Sequence, residues 1–328
     1  MEEALTKVKK NKAEVFSSPA TTFCVTGATG YIGSWLVAAL LQRGYTVHAT
    51  VRDPGDRLRI FKADLNEEGS FDEAVRGCDG VFHVAASMEF NVDKKENIEA
   101  YVQANIVDPS IKGTLNLLKS CMNSNSVKRV VLTSSISTIT AKDNNGKWKH
   151  VVDESCQIQS EHVLKTQASG WVYALSKLLT EEAAFKFAKE NGIDLVSVIT
   201  TTVAGPFFTA TVPSSVKMLL SPITGEPEFF KILSAVNARM GSIALVHIED
   251  ICSAHIFLME HSEAEGRYIC SSQSYPLIAE KNYDKVPSEI CSKKLRDLGF
   301  SYKHGVEEII HQTIICCLDY GYLPPIRQ

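Results

Sequence analysis

The stretch Cys24-Val25-Thr26-Gly27-Ala28-Thr29-Gly30-Tyr31-Ile32-Gly33-Ser34-Trp35-Leu36 decides the fold. A short apolar run ends at Thr26. Three glycines follow at a spacing of three, and then an apolar helical pattern, Trp35, Leu36, Ala39 and Leu40. Three bare glycines also occur in ordinary turns. Flanked by a strand before and a helix after, they form the context a dinucleotide-binding fingerprint requires. In that context Gly27 takes the tight turn, and Gly30, without a Cβ, lets the backbone approach a pyrophosphate. Gly33 lets the helix pack close to the strand. The helix N-terminus offers the phosphates free N–H groups and a positive dipole end.

Working outward, Thr21 to Thr26 reads as the first strand, Gly30 to Arg43 as the first helix ended by Gly44, and Thr46 to Val51 as the second strand. The next strand signal, Leu58 to Phe61, begins after only Pro54-Gly55-Asp56-Arg57. A parallel strand needs a crossover of about a dozen residues or more. A link this short can reach back along a strand, but it cannot supply a helix to cover the sheet. The rest alternates as expected for an α/β chain. A short helix holds Phe71, Ala74 and Val75, and Gly80 to Val84 is a buried strand. A helical segment runs from about Glu96 to Ser124, broken at Pro109 and Gly113. Arg129 to Thr133 is a strand ending in Ser134-Ser135, Lys142 to Lys149 a polar exposed loop, Gly170 to Lys189 a long helix, and Asp194 to Thr200 a strand. Such alternation predicts an α/β fold, a Rossmann-type doubly wound parallel sheet.

Beyond Gly205-Pro206 the rhythm changes, with proline and serine punctuating Pro213 to Pro227. Leu245 to Asp250 leads into a helix ending near Glu260, Gly266 to Cys270 is a strand, and Cys291 to Leu298 and Val306 to Leu318 are helices. The expected organisation is a tail over 1–20, a cofactor domain over 21–205, and a smaller C-terminal substrate lobe over 206–328, with 243–270 returning to the main sheet.

The chemistry-bearing segment is Tyr173-Ala174-Leu175-Ser176-Lys177. Tyr173 and Lys177 at i and i+4 share a helix face. A phenol of pKa about 10 is a poor acid–base group at neutral pH, and a neighbouring ammonium draws it toward a useful range. Ser135 ends a strand upstream, and strand C-termini line the ligand crevice of a parallel sheet, so its hydroxyl can hold a substrate oxygen near Tyr173. The spacing alone arises by chance. Downstream of a Ser-Ser strand end, in a chain opened by the glycine fingerprint, it carries weight.

With these residues in place the chain resembles the extended short-chain dehydrogenase/reductases, in particular the plant dihydroflavonol reductase and anthocyanidin reductase group, to which cinnamoyl-CoA reductase is related. The resemblance covers roughly Thr21 to Leu323. It rests on the glycine stretch, Val51-Arg52-Asp53-Pro54, Ala63-Asp64-Leu65, Val81-Phe82-His83-Val84-Ala85, Lys128 to Ser135, Tyr173 to Lys177, Leu220 to Gly225, Val246 to Asp250 and Gly266-Arg267-Tyr268-Ile269. It implies that Tyr173 is the general acid, that Lys177 lowers its pKa and binds the nicotinamide ribose, and that Ser135 orients the substrate. It further implies NADPH as cofactor, held by Gly27, Thr29, Gly30, Tyr31, Ile32 and Gly33, with Arg52 on the 2′-phosphate. Asp64 and Leu65 would flank the adenine, Val84, Ala85 and Ala86 line the groove, and Thr200 sit near the nicotinamide. Spacing alone leaves Arg52 against Asp53 open, because an NAD-type acid sits about there. The substrate would be a small aromatic molecule touching Ser135, Thr140 and Tyr173.

The chain departs from the group in four ways. Relatives carry a longer, helix-bearing segment between the second and third strands, and a longer stretch after Cys270. They have proline where this chain has Thr200. Thr140 stands where dihydroflavonol reductases have asparagine, and threonine there is closer to anthocyanidin reductases. The expected function is an NADPH-dependent reductase of a flavonoid-like or phenolic substrate. The alternatives are a sugar-nucleotide epimerase or dehydratase, and a cofactor-binding relative inactivated by the two missing segments.

Bulk properties narrow the remainder. At 328 residues the chain can build one large α/β domain and a lobe. A net charge of −4 gives no pull toward nucleic acid or anionic membrane. No apolar run reaches the ~18 residues of a membrane span, and the Lys-rich start lacks a secretory apolar core. Nine scattered cysteines without a C-x-x-C pair, with Cys24, Cys252 and Cys316 in apolar patterns, predict small buried hydrophobes in a reducing, cytoplasmic setting. No metal site and no obligate protein partner are expected: His247, Glu249 and Asp250 read as a brace at a strand-to-helix junction. Trp171, Phe207 and Phe208 read as packing residues, the last two also as a possible edge of an aromatic pocket.

Overall fold

Strand β1 (Thr22–Thr26) is buried from Phe23 onward, and its side chains alternate between two cores. Phe23 and Val25 join Leu36, Leu40, Phe82 and Val131 on one face, while Cys24 joins Val81, Val130, Leu117 and Leu118 on the other. A strand buried on both faces needs a continuous apolar run, which is what the sequence supplies. In this computed structural model the described residues are 21–51, 60–93, 96–142, 146–275 and 288–325.

The main sheet is parallel throughout, with the order β10-β7-β5-β4-β1-β2-β3. Its members are β2 (Thr46–Val51), β3 (Phe61–Lys62), β4 (Gly80–His83), β5 (Arg129–Ser135), β7 (Leu195–Thr200) and β10 (Gly266–Cys270). Helix α1 (Tyr31–Gln42) and α9 (Ile248–Glu260) cover one face. The other face carries α2 (Asp72–Val75), α4 (Asp108–Ser124) and α6 (Trp171–Asn191). Strand order reverses between β1 and β4, so the ligand crevice of a doubly wound sheet opens there, beyond Thr26 and His83.

A second, three-stranded sheet, β11-β9-β8, is formed by β8 (Thr202–Ala204), β9 (Ile243–His247) and β11 (Gln273–Tyr275). Against it pack α7 (Ser214–Thr224), α8 (Pro227–Met240) and α11 (Val306–Asp319). β6 (Val151–Val152) pairs with β12 (Glu289–Ile290). Among the described residues no helix is long and apolar enough to cross a membrane.

Several expectations are corrected. The helical segment near Glu96 is α3 (Ile98–Val102), a π-helical turn Gln103–Val107 and then α4. Pro109 lies at the start of α4, where the missing N–H costs little, so the irregularity precedes it. Gly113 does not break α4; a Cβ there would lie 2.7 Å from the Leu65 Cβ, so the helix uses its bareness to seat the Leu65 loop. The third strand shrinks to two residues, Phe61–Lys62, and Leu58 lies outside the described residues. The expected helix at Cys291 is only α10 (Lys293–Asp297), after β12. In the Lys142–Lys149 loop Trp148 is half-buried against the β6–β12 core. Cys317 rather than Cys316 is the buried member of its pair.

Candidate active site

The glycine turn has the shape its residues require. Gly27 adopts φ +67, and a Cβ on it would lie 2.9 Å from the Ala85 backbone. A Cβ on Gly33 would lie 2.1 Å from the Gly27 carbonyl oxygen, so no side chain fits there. Gly30 opens α1 without a side-chain cap, which leaves first-turn N–H groups for an anion. Thr29 and Gly30 are exposed, and Ile32 is half-buried. Tyr31 turns away from solvent to donate to the Gly205 carbonyl at 3.1 Å.

Opposite this turn, Thr26 and His83 end neighbouring strands and build the groove floor. The backbone N–H groups of Val84 and Ala85 each donate to Thr26 Oγ1 at 3.1 Å. That hydroxyl has one proton, and His83 Nδ1 lies 2.8 Å away to accept it. His83 Nε2–H then donates to Thr114 Oγ1 at 3.0 Å. Burial holds the His83 pKa down to about 3, with Lys177 adding to the effect, so the imidazole is neutral. His83 is a groove-positioning residue that sequence reasoning passed over, although a lone histidine in the apolar run Val81 to Val84 is its signal. Ala86 is exposed at the rim. Asp64 turns its carboxylate onto Asn66, accepting from the backbone N–H at 2.8 Å, and the Leu65 carbonyl accepts from Asn116 Nδ2 at 2.9 Å. Arg52 lies outside the described residues.

The Ser–Tyr–Lys set comes together at the ends of β5 and β7. Ser135 closes β5, 7% exposed, with Oγ accepting from the Ser137 N–H at 3.1 Å. Across the β5–β7 pair stands Thr200, whose hydroxyl donates to the Ser134 carbonyl at 3.1 Å. Tyr173, in the first turn of α6, sits with its phenol against the Ser135 hydroxyl. Burial raises the phenol pKa, and the bond to Ser135 offsets part of that rise. Burial pulls Lys177 down to about 8, opposed by Glu181. Its Nζ donates to the Thr133 carbonyl at 2.9 Å. Lys177 is thus anchored to the strand below Ser135, and the lowered tyrosine pKa expected from its neighbourhood is not present in this arrangement. Thr140 lies five residues beyond Ser135, its hydroxyl accepting from the Lys142 N–H at 3.2 Å.

Beside Tyr173 opens a cavity of about 730 Å³ lined by Phe90, Asn91, Tyr101, Ser169, Phe229 and Ile232. The Phe90 ring lies 5.1 Å from that of Tyr173. The cavity is large enough for a drug-sized ligand. Phe207 and Phe208, weighed as pocket edges, are instead engaged elsewhere: Phe207 with Tyr31 and Tyr320, Phe208 stacked on Trp35.

His247, Glu249 and His304 bring ligand-type atoms within 4.8 Å of one another. Hydrogen bonds and close polar contacts already surround these atoms. His247 Nδ1 accepts from the Glu249 N–H, its Nε2 meets Gln312 Oε1 at 3.1 Å, and His304 lies between Glu249 and Glu308 at 3.3 and 3.1 Å. Asp250 accepts from the N–H groups of Lys303 and His304. These groups tie the start of α9 to the approach of α11.

The chain is similar to known proteins over most of its length. The sequence profile of the NAD dependent epimerase/dehydratase family matches residues 23–270. A candidate anthocyanidin reductase of Ginkgo biloba is 45% identical, with 90% of this chain and 93% of that protein covered. The dihydroflavonol 4-reductase of Arabidopsis thaliana is 40% identical, covering 94% and 85%. That alignment spans 341 positions, more than the 328 residues of this chain, so the relative carries residues that this chain skips. The crystal structure of vestitone reductase from alfalfa superimposes with a TM-score of 0.74 at 33% identity, over 92% of this chain and 99% of that one.

Proposed function

The chain belongs to the NAD dependent epimerase/dehydratase family, the extended short-chain dehydrogenase/reductases, and on that premise we propose that this NAD(P)-dependent oxidoreductase uses NADPH to reduce a flavonoid-like phenolic substrate, with Tyr173 as proton donor. The observation that carries the reading is the Tyr173 phenol, set against Ser135 and separated by the Phe90 ring from a cavity of about 730 Å³. The glycine turn fits a dinucleotide, since its uncapped helix start faces an exposed Thr29-Gly30 and no Cβ fits at Gly33. When bound, the nicotinamide supplies the hydride. Gly27 to Gly33 would hold the cofactor's pyrophosphate and Val84 to Ala86 and Asp64-Leu65 its adenosine half, and Arg52, outside the described residues, would read the 2′-phosphate. Thr200 would lie near the nicotinamide and Lys177 would bind its ribose. The domain division follows: residues 21–205 hold the cofactor, and 206–328, apart from 243–270, complete the substrate side.

Tyr173 donates to the substrate oxygen, and Ser135 turns its one hydroxyl proton from the phenol to that same oxygen when substrate binds. With its pKa raised by burial, Tyr173 is protonated at neutral pH, the state a general acid needs. As negative charge grows on the substrate oxygen, Tyr173 passes its proton there. The neutral His83 keeps the groove floor in register without adding a competing charge. The nine cysteines are all free thiols, which supports a cytosolic, reducing location.

The test is to titrate the purified protein with NADPH and with NADH, following nicotinamide fluorescence. A panel of dihydroflavonols, anthocyanidins, cinnamoyl thioesters and UDP-sugars is then assayed for turnover. Micromolar NADPH binding, much weaker NADH binding and turnover of a flavonoid are expected. Turnover of UDP-sugars alone makes the protein an epimerase or dehydratase. Binding of neither cofactor removes the reductase reading.

A further inference from the structure

Tyr173, Lys177 and Glu181 follow one another at intervals of four along α6 and share one helix stripe. Glu181 has no place in the chemistry described above, yet its side chain is only 4% exposed. One carboxylate oxygen accepts from the Ser197 hydroxyl on β7, and the other lies 3.0 Å from Arg267 Nη2 on β10. Arg267 is itself 14% exposed and spreads its fork over three further acceptors. Nη1 donates to the Glu154 carbonyl at 3.0 Å and to Gln157 Oε1 at 3.1 Å, and Nη2 donates to Thr138 Oγ1 at 3.0 Å. Thr138 in turn donates to the carbonyl of Ser135 at 3.0 Å. Two hydrogen bonds therefore connect the guanidinium to the backbone of the substrate-orienting serine. One ion pair connects it to the carboxylate that accompanies Lys177.

A buried ion pair is a poor means of stabilising a fold, because desolvation offsets most of the attraction. A planar fork with five donors is, however, an effective way to fix several segments at set angles. The segments fixed here are α6, the turn after Ser135, the 153–158 strap and β10. We propose that Glu181 and Arg267 are positioning residues that hold Lys177 and Ser135 in their working geometry: Glu181 by keeping a carboxylate beside the Lys177 ammonium, Arg267 by bracing Ser135 through Thr138. This assignment rests on the reductase reading for its effect on turnover, but not for its effect on Lys177.

Two measurements on the full chain test it. First, the acetylation rate of Lys177 with acetic anhydride is followed against pH by peptide mass spectrometry, in the wild type and in E181Q. The wild-type midpoint is expected near pH 8, and loss of the carboxylate moves it to lower pH. A merely structural role for Glu181 leaves the midpoint in place, and that result overturns the assignment. Second, T138V and R267K are assayed for kcat and for NADPH affinity. Loss of the brace at Ser135 lowers kcat about fivefold or more, since misplacement of under 1 Å is costly at a reacting centre, while the NADPH Kd stays within about twofold. R267K also keeps the test open where E181Q does not fold, because it preserves the charge beside Glu181 but cannot span the other acceptors. Unchanged kcat in both T138V and R267K overturns the Ser135 half. A wild type that turns over nothing in the panel, with the Lys177 midpoint still shifted in E181Q, overturns the reductase reading and supports the Glu181 half.

Discussion

The two flanks of the main sheet are built to different standards. On one side β5, β7 and β10 run side by side, with six paired positions between β5 and β7 and five between β7 and β10. They are stapled further by Arg129 to Asp194 and by Arg267 to Glu181. On the other side β2 meets β3 at only two positions, Thr50 with Phe61 and Val51 with Lys62. Only residues 52–60 separate β2 from β3, fewer than the dozen or so that a parallel crossover ordinarily takes. The proposed reacting residues, Ser135, Tyr173, Lys177 and Thr200, all stand on the long flank. The proposed adenosine contacts, Asp64 and Leu65, stand on the short one. The flank that would hold the cofactor's far end is thus the thinly paired one, and the flank that carries the proposed reacting residues is the fully paired one. Chemistry and cofactor grip should be separable by mutation.

The largest expected effect lies on the long flank. Tyr173→Phe removes the proton donor while keeping the ring against Phe90. Steady-state kcat should fall by about 10³-fold, within the usual range for general acid catalysis, and the NADPH Kd from fluorescence titration should stay within about threefold. Unchanged turnover would remove Tyr173 from the mechanism. The next effect is at the hinge between the flanks. Gly33→Ala puts a Cβ 2.1 Å from the Gly27 oxygen, so the turn must open. NADPH affinity should drop by about a hundredfold or more, the scale of a few kcal/mol of lost contacts, with the far-ultraviolet circular dichroism retained. On the short flank itself, grafting a relative's β2–β3 crossover into this chain should cover sheet surface and raise the melting temperature by about 2–4 °C. Turnover per cofactor-loaded molecule should be unchanged. A graft that left the melting temperature where it was would mean the short link already seals that edge.

The same contrast explains which elements are legible in the sequence. Strands buried on both faces announce themselves as apolar runs, so β1, β4, β5 and β7 were legible to within a residue or two. The glycine turn was legible because its constraint is local: the carbonyl that excludes a side chain at Gly33 belongs to Gly27, six residues away. Tyr173 and Lys177 were legible as helix-face neighbours. What escaped depends on distant partners. β6, β11 and β12 are strands of two or three residues that exist only because another strand lies beside them. Arg267 and Glu181 are 86 positions apart and carry no joint signature. The Lys177 anchor is a backbone carbonyl, which no sequence pattern reveals. At Pro109 the irregularity moved upstream into a π-helical turn, because a proline near a helix start removes no needed hydrogen bond.

Two smaller effects use pH to separate the flanks. Lys177 on the long flank has a folded-state pKa of about 8, against an ordinary value of 10.5. Below pH 8 it is charged in both states, so the cost of burying the ammonium is present in full. Between pH 8 and 10.5 the folded protein releases the proton while the unfolded chain keeps it, so stability rises with pH. Lys177→Met should raise the melting temperature of the cofactor-free protein at pH 7 by about 2–4 °C and flatten that alkaline rise. A melting temperature that fell instead would show that the Thr133 contact outweighs the buried charge.

His83, at the floor of the groove between the flanks, titrates in the opposite range. Its folded pKa is about 3, against an ordinary 6.5. As pH falls below 6.5 the unfolded chain takes up a proton that the folded protein refuses, so stability declines until about pH 3. His255, buried and held down to about 4 beneath β5, contributes a parallel decline. His83→Gln keeps an amide that can donate to one threonine and accept from the other but cannot be protonated. Denaturant unfolding at pH 7 and pH 5 should therefore show a smaller loss in the variant than in the wild type, but not zero, because His255 still titrates. NADPH affinity at pH 7 should remain within about threefold, since Thr26 keeps its grip on the N–H groups of Val84 and Ala85. An equal acid loss in both proteins would mean that His83 is no more reluctant to take a proton folded than unfolded. The groove floor would then be held by Thr26 alone, and the boundary between the two flanks would owe nothing to a neutral imidazole.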